Sequence, residues 1–243
     1  MCPGRPGRSR APRVLALAAL ALAVGSAAAG AQDLLPHRAV YDLSLGSPRG
    51  EGGIADLQGR MAVEFVDVCD GWTVDQRMVL DITYEGEAAF RSYSSFASWE
   101  SRDGTRFRFE DRTWHDDGPV EEIGGEARLE ATDGAGSVTL AKPAPATFPL
   151  PAGTMFPTRH TAFLIERARA GEAYVLRPTF DGTSADGAID VGAALGRPRP
   201  VSGGPAVPGD AEAWPMRLAY FMPGEDPDRP SFEIGILIHG NGV

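Results

Sequence analysis

The chain is short of lysine, cysteine and histidine. One lysine, Lys142, stands against 22 arginines in 243 residues, with two cysteines and four histidines. Two cysteines cannot build the dense disulfide framework of a small secreted scaffold. No apolar run reaches the roughly 20 residues of a membrane-spanning helix. The motifs of common chemistries are also absent. There is no G-x-S-x-G elbow, H-E-x-x-H or C-x-x-C, and no P-loop or dinucleotide fingerprint. The near loss of lysine, beside 30 glycines and 20 prolines, is the mark of GC-rich codons and points to a high-GC bacterium.

The first 31 residues read as an export signal. Arg5, Arg8, Arg10 and Arg13 form a basic start, Val14 to Val24 an apolar stretch, and Ala29-Gly30-Ala31 a small-residue cleavage site before Gln32. Ala27-Ala28-Ala29 is the second choice of site. No lipobox cysteine follows. The expected address is the periplasm of a Gram-negative bacterium. Removing the signal takes four arginines and no acids, moving the formal charge from −10 to −14 and leaving 212 residues for one domain. So acidic a chain argues against nucleic acid and against an anionic membrane surface as partner. Cys2 leaves with the signal, and Cys69 is then alone. An odd cysteine in an exported chain means a missing partner, an intermolecular bond or a free thiol.

The remaining chain alternates with period two, the mark of strands with one wet face. Ala39, Tyr41, Leu43 and Leu45 share a side, as do Met61, Val63 and Phe65. Trp72, Val74, Met78, Leu80, Ile82 and Tyr84 share another, and Phe107 and Phe109 stand between Arg106, Arg108 and Glu110. Asp70-Gly71, Glu85-Gly86, Asp103-Gly104 and Asp133-Gly134 punctuate these runs as tight turns. The pattern predicts an all-β antiparallel meander, an open barrel-like sheet. One segment has helical period. Pro157 to Ala170 places Thr161, Leu164, Ile165 and Ala168 on one face, with Pro157 at the start, Arg167 and Arg169 in the last turn and Gly171 as the stop. This helix is expected to cap the mouth of the curved sheet. The proline-rich stretches 141–153 and 196–215 read as loops. At the end, Phe232, Ile234, Ile236 and Ile238 share a face, and Gly240-Asn241-Gly242 reads as a hairpin turn followed only by Val243. An apolar last strand with a hairpin left open predicts a natural chain that continues.

Candidate chemistry is sparse. His37, at the start of the mature chain, reads as a surface residue. His115 beside Asp116 and Asp117 has the donors of a metal corner but reads as a polar turn, with no second cluster to complete coordination. His160 reads as an exposed first-turn residue, and His239 ends the last strand. Asp181 and Asp186 lack calcium-loop spacing and read as a hairpin loop. Activation of Cys69 as a nucleophile needs a nearby cation or base, and its neighbours Asp67 and Asp70 are anions. No catalytic, cofactor or metal residue is assigned. Trp72 and Trp99 are expected in the core.

The stretches HRAVYDLSL, VDVCDGWTVDQRM, FASWESRDGTRFRF, MFPTRHTAFLIERARAGE, FDGT and WPMRLAYF, in this order over residues 37–243, resemble the bacterial cell-envelope integrity protein EipB family of periplasmic α-proteobacterial proteins. The resemblance implies a β-spiral with a packed helix. It also implies that Cys69 pairs with a cysteine near the C-terminus, which this sequence does not contain. Closing so long a loop contributes about 4–5 kcal/mol in the chain-entropy model. The function implied is non-enzymatic support of the envelope by a monomer that binds an envelope protein, lipid or peptide in the concave sheet. A lipid or lipoprotein carrier and an envelope hydrolase with a spatially assembled site are the alternatives.

Overall fold

The structure, a computed structural model, describes residues 34–46, 53–116, 118–201 and 212–243. The expected signal peptide, Asp117 and most of the Pro/Gly-rich stretch before Glu212 lie outside them. Among the described residues the elements are two antiparallel sheets and one helix.

The first sheet is an eight-stranded meander in chain order: β1 (His37–Ser44), β2 (Ile54–Val68), β3 (Gly71–Tyr84), β4 (Phe90–Ser101), β5 (Arg106–His115), β6 (Glu121–Leu129), β7 (Gly136–Lys142) and β8 (Ala146–Leu150). Helix α1 (Pro157–Arg169) follows. The second sheet holds β9 (Tyr174–Thr179), β10 (Ile189–Leu195), β11 (Arg199–Pro200), β12 (Glu212–Phe221) and β13 (Phe232–His239), with β12 flanked by β10 and β11 on one side and β13 on the other. Neither sheet closes on itself. The sequence pattern predicts a single wall with a helix at its mouth. Instead α1 joins two sheets, and its apolar face is part of the core.

The period-two reading accounts for the first sheet. Its outer face is tiled with ion pairs between residues directly opposite each other. Arg38 faces Glu64, Arg60 faces Asp42, Arg91 makes a double contact with Asp81 at 2.6 and 2.9 Å, and Arg112 faces Glu122 at 3.0 Å. Lys142 joins Glu110 and Glu122 at 3.0 and 2.9 Å. Such cross-strand pairs reinforce register more than they add stability. The opposite face carries Phe107 and Phe109, which stack at 5.5 Å; Phe107 also stacks on Phe156 at 5.1 Å. Phe180 meets Phe109 edge-on at 5.3 Å, and Val138, Leu140 and Leu150 complete this cluster. A second cluster gathers Trp72 of β3, with Phe163, Leu164, Ile165 and Ala168 of α1, and Val175, Ile189, Val191, Trp214, Met216 and Leu218 of the second sheet.

Two loop expectations are corrected. Part of the first proline-rich stretch is strand β8, with Pro149 opposite Ser137. An edge strand tolerates proline because the missing N–H can face away from its neighbour. The second stretch contributes β11 and the start of β12, including Pro215. The helix obeys its sequence signals. Pro occupies the first turn, Arg167 and Arg169 the last, and Gly171 takes φ +78° while its N–H donates to the Ala168 carbonyl. The turn at Gly240 and Asn241 folds back as expected, with the His239 N–H donating to Val243 O at 2.7 Å. The same turn receives the Leu35 N–H on Asn241 O at 2.8 Å and the Arg169 guanidinium on Gly240 O at 2.9 Å.

Phe107 is 1% exposed and touches three other phenylalanines. Phe107→Ala is expected to cost about 3–5 kcal/mol of unfolding free energy, read as a lowered urea midpoint with an unchanged slope.

Candidate functional site

The core-side face of the first sheet divides into two parts. Near the turn at Cys69 it is packed: Trp72 is buried and stacks on Phe65 at 5.1 Å. Farther along the same strands neither buried cluster of the described residues lies over it. Register places Tyr41 beside Met61 and Met78, Leu43 beside Gly59 and Leu80, and Leu57 beside Ile82. All these side chains are partly exposed; Tyr41 is 37% and Tyr84 36% exposed. Across β4 and β5 the same face turns polar, with Ser94 opposite Met78, Ser92 opposite Leu80, and Asp111 opposite Phe96. The result is an open apolar band bordered by hydroxyls and a carboxylate.

The electrostatics of this border follow from burial. Burial raises the Asp111 carboxyl above its ordinary range; the Thr113 hydroxyl bond opposes this, and the charge of Asp181 adds to it. Tyr220, on β12, is pushed up to about 12 by burial first and then by Asp181. Burial alone raises Tyr41. The loop between β9 and β10 thus brings Asp181 into the field of both Asp111 and Tyr220, a juxtaposition across both sheets that no local spacing reveals. Asp181 also organises its own loop, accepting hydrogen bonds from the Thr183 N–H at 2.9 Å and hydroxyl at 2.8 Å. This is the hairpin loop expected for residues 180–187.

The residues singled out in the sequence do not converge. Cys69 is exposed in the β2–β3 turn and is a free thiol in this structure. A cation does reach this corner. Arg102 pairs with Asp67, donates to the Val68 carbonyl at 3.0 Å and lies over the Trp72 ring at 4.9 Å. The turn is held tightly, because a Cβ on Gly71 would sit 2.1 Å from the Glu100 carbonyl oxygen. Trp99 is not a core residue. Alternation gives the inward position to Glu100, and Trp99 lies on the charged face, with Arg108 over its ring at 4.4 Å and its indole N–H donating to Asp70 at 3.3 Å.

The histidines lie apart. His37 is half-buried and hydrogen-bonded to the Leu35 carbonyl at 2.7 Å. His115 is exposed and meets Phe90 edge-on at 5.5 Å. His239 is buried at the end of β13. His160 corrects the sequence expectation: it is 7% exposed rather than a surface residue. Phe163 and Ile165 mark the wide buried face of α1, and the first turn is covered too. Burial lowers the imidazole to about 4, with Arg159 and Arg177 adding to the effect, and its Nε2 has no hydrogen-bond partner. Among the described residues no group of three or more His, Cys, Asp or Glu is placed to hold a metal. No helix among them is long and apolar enough to cross a membrane.

These features define an all-β protein of two open antiparallel sheets bridged by one helix, with an uncovered apolar band on the larger sheet. The chain belongs to the EipB-like family, whose model matches residues 28–243. It is 34% identical over 231 residues to the cell envelope integrity protein EipB of Brucella abortus, covering 90% of this chain and 79% of that protein. A crystal structure titled a beta-barrel-like protein of domain of unknown function DUF1849, also from Brucella abortus, superposes with a TM-score of 0.76 at 33% identity. That match covers 86% of this chain and 89% of the other. None of these descriptions designates an enzyme.

His160 supplies a signed pH prediction. Its native pKa of about 4 lies below the unfolded value of 6.5, so the unfolded chain binds the extra proton. Its contribution to stability is present above pH 6.5 and is lost as pH falls towards 4. The loss amounts to about 3 kcal/mol. Urea titrations of both proteins should show the native protein losing stability relative to His160→Gln as pH falls from 7 to 4.

Proposed function

We propose that this is an exported, non-enzymatic protein of the periplasm that supports cell-envelope integrity by binding a partner or ligand on the open half of the first sheet. One observation carries the reading: the band from Tyr41 through Met61, Met78 and Leu80 remains partly exposed while the other face of the same strands is covered with ion pairs. Soluble proteins seldom leave a contiguous apolar surface of this kind without a use for it. Strong likeness to a protein named for envelope integrity supports the setting. The basic, apolar and small-residue order of residues 1–31 supports export and cleavage after Ala31. Residues 32–243 then act as one domain.

An envelope protein, a lipid and a peptide all present apolar groups to such a band. Met61 and Met78 lie side by side in it, and flexible thioethers adapt to differing shapes. Cys69 is assigned an architectural part, as one half of a disulfide. Protein recovered from the periplasm should then show no thiol at Cys69 until it is reduced; a freely alkylated Cys69 would remove that assignment.

The binding reading is tested in a deletion strain. Loss of the gene should sensitise cells to detergent, and the native gene should restore resistance. Met61→Arg with Leu80→Arg should leave the circular dichroism spectrum unchanged, because both positions are already partly wet, yet fail to restore resistance. Full rescue by the double variant would reject the band as the working surface. Lipid extraction and periplasmic pull-down of the two proteins then separate a lipid from a protein occupant.

A further inference from the structure

Helix α1 begins without a cap of its own. Its N-cap residue is Phe156, whose side chain accepts no hydrogen bond, and its first turn holds no acid. The first backbone N–H groups of any helix need acceptors. Here they come from a strand 58 residues away. The Thr158 N–H donates to Glu100 Oε2 at 2.7 Å and the Arg159 N–H to Oε1 at 2.9 Å. The Thr158 hydroxyl donates to the same carboxylate. Glu100 is 3% exposed, and its neighbours across β3 and β5 are the buried rings of Trp72 and Phe107. Of the charged groups around it, Arg159 on α1 acts on it through space but commits its guanidinium to Asp133 at 2.9 Å. Arg102, from the turn after β4, sits over Trp72 and pairs with Asp67. His160, next along the helix, faces Arg159 and Arg177 and is neutral above about pH 4. Among the described residues no cation pairs directly with the Glu100 carboxylate.

We propose that Glu100 and the first turn of α1 form a proton-operated clasp between the larger sheet and the helix, closing more firmly as pH falls. Burial without a counter-ion opposes the ionised carboxylate, the three donors favour it, and at Glu100 burial prevails. The carboxyl is accordingly pushed up from 4.5 to about 7, by burial first and against the Thr158 and Arg159 hydrogen bonds. When the helix start lifts away, Glu100 meets water and regains ordinary acidity. The closed state therefore holds a proton between pH 4.5 and about 7 that the open state releases. Closure is most favoured below 4.5 and weakens as pH rises through about 7. His160 has the opposite sign between 6.5 and 4, so the two contributions offset each other in global stability on the acid side. Only a local measurement, or the window above pH 6.5, isolates Glu100.

The test follows the Thr158 and Arg159 amides of the purified protein by NMR. Their shifts should titrate together with a midpoint near pH 7, and should do so equally in His160→Gln. After correction for intrinsic exchange, their hydrogen-exchange protection should fall on the order of 50-fold from pH 5 to pH 8. Glu100→Gln should abolish both effects. Because the native protein is measured directly, the outcome does not depend on that variant folding. A midpoint below 5.5, or protection that rises with pH, would overturn the clasp.

Discussion

Hydrogen-bonded register is the constraint on which the larger sheet depends. Opposing Asp81 to Arg91 on one face obliges Leu80 to oppose Ser92 and Ile82 to oppose Phe90 on the other. A slip of one residue in β2 or β3 would turn that strand's charges inward and its methionine outward. The ion pairs therefore matter less for their individual energies, which are small at exposed sites, than for excluding the alternative pairing. Specifying the wet face specifies the apolar one, including the part that no core covers.

The second constraint is the satisfaction of helix donors inside a protein. The core of the larger sheet and the core around α1 meet where Glu100 accepts hydrogen bonds from the helix start. Apolar packing alone would allow α1 to slide along Trp72 and the second sheet. Two short directional bonds fix its position. The same junction carries Phe156, which begins the helix and stacks on Phe107. Position comes from the polar contact and strength from the rings around it.

How far this was legible in the sequence varied with the range of the cause. Strands β1, β2, β3, β5 and β13 were visible because alternation is local, and α1 because its proline, arginines and glycine are local signals. Strand β8 was hidden by prolines that an edge position tolerates. The division into two sheets was hidden because hairpins look alike whichever sheet receives them. At the site, the apolar face could be read residue by residue, but its exposure could not, since that depends on what the rest of the chain leaves uncovered. Trp99 was misplaced by its size. The alternation around Phe107 and Phe109 already implied that its neighbour Glu100 points inward. The burial of Glu100 and His160, and the approach of Asp181 to Asp111, arise between residues far apart in the chain. The family resemblance read from the ordered motifs agrees with the family match and the superposition.

The two ends of the fold treat newcomers differently. Strand β8 closes its sheet with Pro149, which offers an approaching chain one rung fewer to grip. Strand β13 pairs with β12 alone among the described strands and shows Phe232, Ile234 and Leu237 to solvent. An apolar edge strand is the kind of margin a further backbone can extend, and a proline within an edge strand blunts it. Of these two margins, an added strand is accommodated more readily at β13 than at β8.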